Sequence, residues 1–131
     1  MAVGKTIRTY FNGQWHDGDV PIMSAADHAA WLGSSVFDGA RWFDGVSPDL
    51  DKHCARANAS AEALMMPATV PADQMVEIVN EGLKAFSPDS AVYIRPMYWA
   101  SEGDQTLIAP APEATQFAIC LEEVPMAPEA A

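Results

Sequence analysis

The sequence is poor in positive charge. Seven Lys and Arg stand against eighteen Asp and Glu in 131 residues, a formal net charge of -11. A nucleic-acid binder needs a basic footprint, and an anionic membrane surface would repel this chain, so neither partner is expected. Long apolar runs are missing. No stretch approaches the ~20 residues of a membrane span, and the opening MAVGKTIRTYF lacks the apolar segment of a secretory leader. A cytoplasmic location is the corresponding expectation. Cysteine is scarce: Cys54 and Cys120 lie far apart and are expected to be buried thiols rather than a disulfide. His16, His28 and His53 share no ligand spacing with them, so no metal is expected. Walker loops, GxGxxG, HExxH and GxSxG are all absent. Lysine occurs only as Lys5, Lys52 and Lys84.

Hydrophobic residues, by contrast, make up 50% of the chain, enough for the core of one domain. Residues 6–11 read as a strand, Asn12-Gly13 as a hairpin turn, and Gln14 to His16 as the returning strand. Residues 24–32 suit a short helix or bend that Ser24 could cap. Residues 35–43 read as a strand turned by Asp44-Gly45, with Gly39 marking a bulge or a close approach. Leu50, Cys54, Ala57, Ala61 and Leu64 form one helical stripe over about 51–65, which Asp49 or Asp51 could cap. Met75, Val79, Leu83 and Phe86 form a second, over about 71–86, with Pro71 in its first turn. A strand over 91–99 follows, where Pro96 implies an edge or a bulge. Residues 101–115 read as a loop and 116–124 as a last strand. This order of strands, two helices, then strands argues an α+β fold, an antiparallel or mixed sheet packed on two helices.

The four arginines are Arg8, Arg41, Arg56 and Arg95. A period of two places Phe37, Gly39, Arg41 and Phe43 on one strand face, and Tyr93, Arg95, Met97 and Trp99 on another. A guanidinium among large apolar side chains needs an anion, because an unpaired buried charge is costly. That anion is either an internal carboxylate or a carboxylate or phosphate ligand, to which the planar fork of arginine is well matched. Arg56 lies off the apolar stripe of its helix, where a solvated charge or an anion contact at the sheet edge are both open.

Four blocks add a resemblance. Tyr10-Phe11-Asn12-Gly13, then Met23-Ser24 with Leu32-Gly33-Ser34-Ser35-Val36-Phe37-Asp38-Gly39-Ala40-Arg41, then His53-Cys54-Ala55-Arg56 with Ser60-Ala61, then Tyr93-Ile94-Arg95-Pro96 stand in order along the chain. Together they resemble the N-terminal part of class IV, fold-type IV pyridoxal-phosphate aminotransferases of the branched-chain amino acid type. The resemblance implies that Arg56 grips the cofactor phosphate. It implies that Tyr93 and Arg95 hold the substrate carboxylate, with Arg41 near them and Phe37 as a pocket wall. It further implies pyridoxal 5'-phosphate as cofactor, amino acid and 2-oxo acid substrates, and a homodimer at full length. Three residues depart from the family blocks: Leu32 stands for a tyrosine, Asp38 for a glutamate and, less consequentially, Ala57 for a leucine. In the family the Schiff-base lysine belongs to a second domain, and none of the three lysines here lies in a matching motif. The expectation is therefore a small N-terminal domain over 1–124 and the start of a linker over 125–131, inactive by itself. The rival expectations are a D-amino acid aminotransferase, an aminodeoxychorismate lyase, or a non-catalytic binding or assembly module.

Overall fold

Turn chemistry places the first folds of the chain. In the computed structural model, which describes residues 6–126, Asn12 (φ 53) and Gly13 (φ 80) join β1 (Ile7–Phe11) to β2 (Gln14–Asp17). Positive φ at both central residues matches the right-handed twist of the flanking strands. Asp44 (φ 50) and Gly45 (φ 75) repeat the device, closed by two backbone bonds of 3.0 Å between Phe43 and Val46. Lys5 and positions 127–131 of the expected linker lie outside the described residues.

Between β2 and the helical layer come α1 (His28–Leu32), β3 (Ser35–Phe37) and β4 (Ala40–Trp42). The helix is shorter than expected and Ser24 does not cap it. Instead the Ser24 backbone N–H donates to the Asp27 carboxylate (3.2 Å), so Asp27 spends its side chain on the preceding turn. The next elements, α2 (Leu50–Ala63) and α3 (Ala72–Leu83), lead into β5 (Val92–Ala100) and β6 (Thr115–Glu123). Asp49 occupies the N-cap position of α2 without a side-chain capping bond. It adopts φ 54, and its carboxylate lies 3.6 Å from Lys52.

All strand pairs are antiparallel, in the order β2-β1-β6-β5-β3, with β4 also paired to β5. Pro96 thus sits in a strand flanked on both sides, not on an edge, and no bulge accompanies it. Phe37 opposes Met97 and Ala40 opposes Ile94, an unbroken register across the gap between β3 and β4. The Asp38 N–H still donates to the Pro96 carbonyl (3.2 Å). Only the return bond is missing, because proline has no N–H. The ladder of the expected strand 35–43 therefore breaks opposite Pro96. Gly39, beside the break, is needed for close approach: a Cβ there would lie 2.6 Å from the Tyr93 hydroxyl oxygen.

The two helices cover one sheet face. Cys54, Ala57 and Ala61 of α2 and Met75, Val79 and Leu83 of α3 are buried, as their stripes predict, whereas Leu64 is exposed and Met66 is buried. They pack on Val92, Ile94, Tyr98, Ile119 and Leu121, the alternate residues of β5 and β6. The Tyr98 hydroxyl donates to Asn58 Oδ1 (2.9 Å) and accepts from the Val70 N–H (3.2 Å), which ties the link between the helices to the sheet. Ile94 is fully buried, opposite Leu121 and Ala40. Ile94→Ala should cost about 2–5 kcal/mol, since little around it can collapse. Denaturant unfolding at unchanged slope checks this, and a loss below about 1 kcal/mol, the size of a surface change, would contradict the packing described.

Candidate functional site

The same alternation leaves Tyr93, Arg95 and Met97 of β5 on the face without helices. Across the ladder, Arg41 opposes Tyr93, Phe37 opposes Met97 and Cys120 opposes Arg95. Directly opposed residues share a face. The four residues Phe37, Arg41, Tyr93 and Arg95 accordingly lie on one side of the sheet. One end of that side is closed by Trp99 and Ala118, packed with Ala29, Phe11 and Ile22. The rest is open, and Phe37 is 60% exposed.

Arg95 is the best-held cation of this face. Its guanidinium donates to Glu122 Oε1 (3.2 Å) and lies 4.8 Å from the centre of the Tyr93 ring. Burial opposes its charge, and Cys120, Glu122 and Tyr93 outweigh that, so its pKa stands above the ordinary arginine value. Burial also pushes the Cys120 thiol up, and Glu122 is the carboxylate that pairs with Arg95. Glu122 is 6% exposed while the Arg95 side chain retains 30%. A small cavity of about 130 Å³ opens beside Arg95, lined by Ile22, Met23, Phe37, Met97 and Trp99 among others. The Trp99 indole N–H, buried at this wall, has no partner among the described residues. An apolar pocket with one guanidinium suits a small carboxylate carrying an apolar side chain.

Arg41 is engaged elsewhere. Its guanidinium donates to the Val124 carbonyl and approaches the Met126 sulfur at 3.1 and 3.2 Å, holding the segment that leaves β6.

Arg56 stands on the helix side, at the break between β3 and β4. Its Nε donates to Asp38 Oδ2 (2.6 Å) and its Nη2 to Asp38 Oδ1 (3.0 Å). His53 Nδ1 lies 2.7 Å from the same Oδ1, and the Gly39 N–H donates to it (3.0 Å). The Asp38 side chain is 7% exposed and that of Arg56 65%. Burial pushes the Asp38 carboxyl up, but the hydrogen bonds and charges of Arg56 and His53 win and hold it below 3.8. A carboxyl lowered in the folded state stabilises the fold fully above its unfolded value, and the gain is lost as pH falls through the folded one. Asp38→Asn should therefore flatten the acid limb of a melting-temperature profile below about pH 4, the unfolded carboxyl value. An unchanged limb would show that this carboxyl does not carry it.

Asp38, Glu122 and His53 carry no role at this site in the sequence reading. Glu122 was within reach, because a period of two in 116–124 aligns Gln116, Ala118, Cys120 and Glu122 on one face. The pairing of Asp38 with Arg56 spans 18 residues and carries no local signal.

An antiparallel sheet with two helices on one face and an arginine-bearing open face on the other is the α+β architecture in view. The family model of amino-transferase class IV matches residues 35–131, and the chain belongs to that family. A putative branched-chain-amino-acid aminotransferase of Methanocaldococcus jannaschii is 32% identical over 98 residues, covering 75% of this chain and 34% of that protein. The branched-chain-amino-acid aminotransferase of Escherichia coli K12 is 29% identical over 126 residues, covering 91% and 40%. An aminotransferase from Brucella abortus, solved with the cofactor PLP, superposes with a TM-score of 0.91 at 55% identity, over 94% of this chain and 44% of that one. The chain thus spans less than half the length of each of these proteins.

Proposed function

We propose that this chain forms the anion-recognising part of a pyridoxal-phosphate-dependent aminotransferase acting on branched-chain amino acids. The observation that carries the reading is Arg95, stacked on Tyr93 and opening onto an apolar cavity. The substrate carboxylate meets Arg95 and Tyr93, and the aliphatic side chain packs against Phe37 and Met97. Arg41 borders this site and fixes the departing chain. The cofactor's phosphate end fits Arg56, whose Nη1 has no partner among the described residues while Nε and Nη2 are held by Asp38. No described lysine is placed to meet its aldehyde end: Lys52 and Lys84 are 78% and 74% exposed and lie beside Asp49 and Glu81. When bound, the cofactor supplies the electron sink that lets an amino group pass from an amino acid to a 2-oxo acid. The residues here bind, orient and shield, and the base that moves the α-proton comes from a second domain.

Exposed Trp31, Phe37, Leu107 and Ile108 support coverage of this region by a second domain and by a homodimer partner. A cytoplasmic location belongs to the same proposal; no helix among the described residues is long and apolar enough to cross a membrane. The test uses the protein expressed from its complete reading frame, with added cofactor, and follows glutamate formed from 2-oxoglutarate. Turnover with L-leucine, L-isoleucine or L-valine is expected. Turnover confined to D-amino acids, lyase activity on aminodeoxychorismate, or no turnover at all would each reject the branched-chain assignment.

A further inference from the structure

Arginine has two hydrogen-bonding edges, one formed by Nε with one terminal nitrogen and one formed by the two terminal nitrogens. Asp38 occupies the first edge of Arg56, at 2.6 and 3.0 Å. Among the described residues no group occupies the second. The carboxylate itself has little freedom: it is 7% exposed and accepts from Gly39 N–H and, at 2.7 Å, from His53 Nδ1. The short distance to an acceptor-only oxygen places the Nδ1 proton on His53 and makes the 3.2 Å approach of Arg56 Nη2 to that nitrogen a packing contact. Asp38 is therefore anchored from the sheet by its own backbone neighbour and from α2 by His53. The guanidinium, 65% exposed and on a long flexible stem, is not anchored by anything else described.

We propose that Asp38 is the positioning residue for the anion end of this site: it grips Arg56 side-on and turns the second guanidinium edge outward for a phosphate, with His53 locking the carboxylate. This rests on the reading of Arg56 as the phosphate contact and adds what holds it. Fixing a side chain before the ligand arrives removes an entropic cost of binding. A planar fork is needed for this, because one edge must hold the carboxylate while the other meets the anion. The same geometry explains how a buried acid can sit beside an anion site without occupying it.

The test compares equilibrium binding of pyridoxal 5'-phosphate with that of pyridoxal, which lacks the phosphate, in the complete protein. The ratio of the two affinities reports the phosphate contact alone, and a change in fold stability does not by itself alter it. Arg56→Gln should collapse the ratio. If it does not, the phosphate reading of Arg56 fails, whatever the role of Asp38. Given that collapse, Asp38→Asn should lower the ratio about tenfold, the loss of roughly one charge-assisted hydrogen bond, and Asp38→Glu should restore part of it. Arg56→Lys decides the matter even where Asp38→Asn fails to fold. A point charge cannot be held by one edge while offering another, so the ratio should fall nearly as far as in Arg56→Gln. An unchanged ratio in Asp38→Asn, or a ratio preserved in Arg56→Lys, would overturn the proposal.

Discussion

Supplied with leucine, 2-oxoglutarate and pyridoxal 5'-phosphate, the 131-residue chain alone should form glutamate no faster than the free cofactor does. The reason lies in where the cations are. Enzymes accelerate such reactions by about 10⁶-fold or more, and much of that depends on a base held within reach of the proton it moves. Lys84 lies just past α3, whose helix packs on the sheet face opposite Arg95, and is bonded to Glu81 at 3.0 Å. Lys52, in the first turn of α2, points into solvent beside Asp49. Lys5 precedes β1 and belongs to no motif of the family. Arg95 and Arg56, the proposed carboxylate and phosphate contacts, remain, so the chain should retain anion recognition while lacking chemistry. A coupled assay for glutamate, run against a cofactor-only control, separates the two. Turnover well above that control would mean that one of these three lysines does act, and would overturn the division of labour described above.

Much of the fold was legible because its signals are local. Asn12-Gly13 and Asp44-Gly45 specify their own backbone geometry, and both hairpin turns stand where the dipeptides are. The stripe of Met75, Val79, Leu83 and Phe86 is an arithmetic property of one helix and the short turn that follows it, and all four are buried. Alternation along 91–99 similarly predicted that Tyr93 and Arg95 share a face. What was illegible depends on partners distant in sequence. Pro96 was expected at an edge or a bulge because a proline in a flanked strand forfeits a bond. The structure places that forfeited bond at a gap that β3 and β4 leave for it, which no reading of β5 alone could reveal. The partner of Arg56 was open for the same reason. Its helix gave only a position off the apolar stripe, and Asp38 reaches it only after the strand and the helix pack together. Arg41 shows the limit of alternation in another way. Its face is right, yet its Nε and Nη2 turn to Val124 and Met126, in a segment 83 and 85 residues onward.

The central claim is that Arg95 reads the substrate carboxylate, and it is tested by the kinetics of one double substitution in the complete protein. Removing Arg95 alone would take one cation from Glu122, which is 6% exposed and 3.2 Å from it. Breaking a buried ion pair from one side costs stability and would confuse the result. Arg95→Gln with Glu122→Gln removes both charges and keeps two polar side chains of similar shape. Losing a guanidinium–carboxylate contact of this kind should cost about 3 kcal/mol, or roughly 100-fold. The account predicts a fall of that size in kcat/KM for L-leucine, with the cofactor binding unchanged because Arg56 and Asp38 are untouched. A kcat/KM within a factor of about three of the parent, under 1 kcal/mol by the same conversion, would show that the carboxylate is read elsewhere and would contradict the assignment of this face.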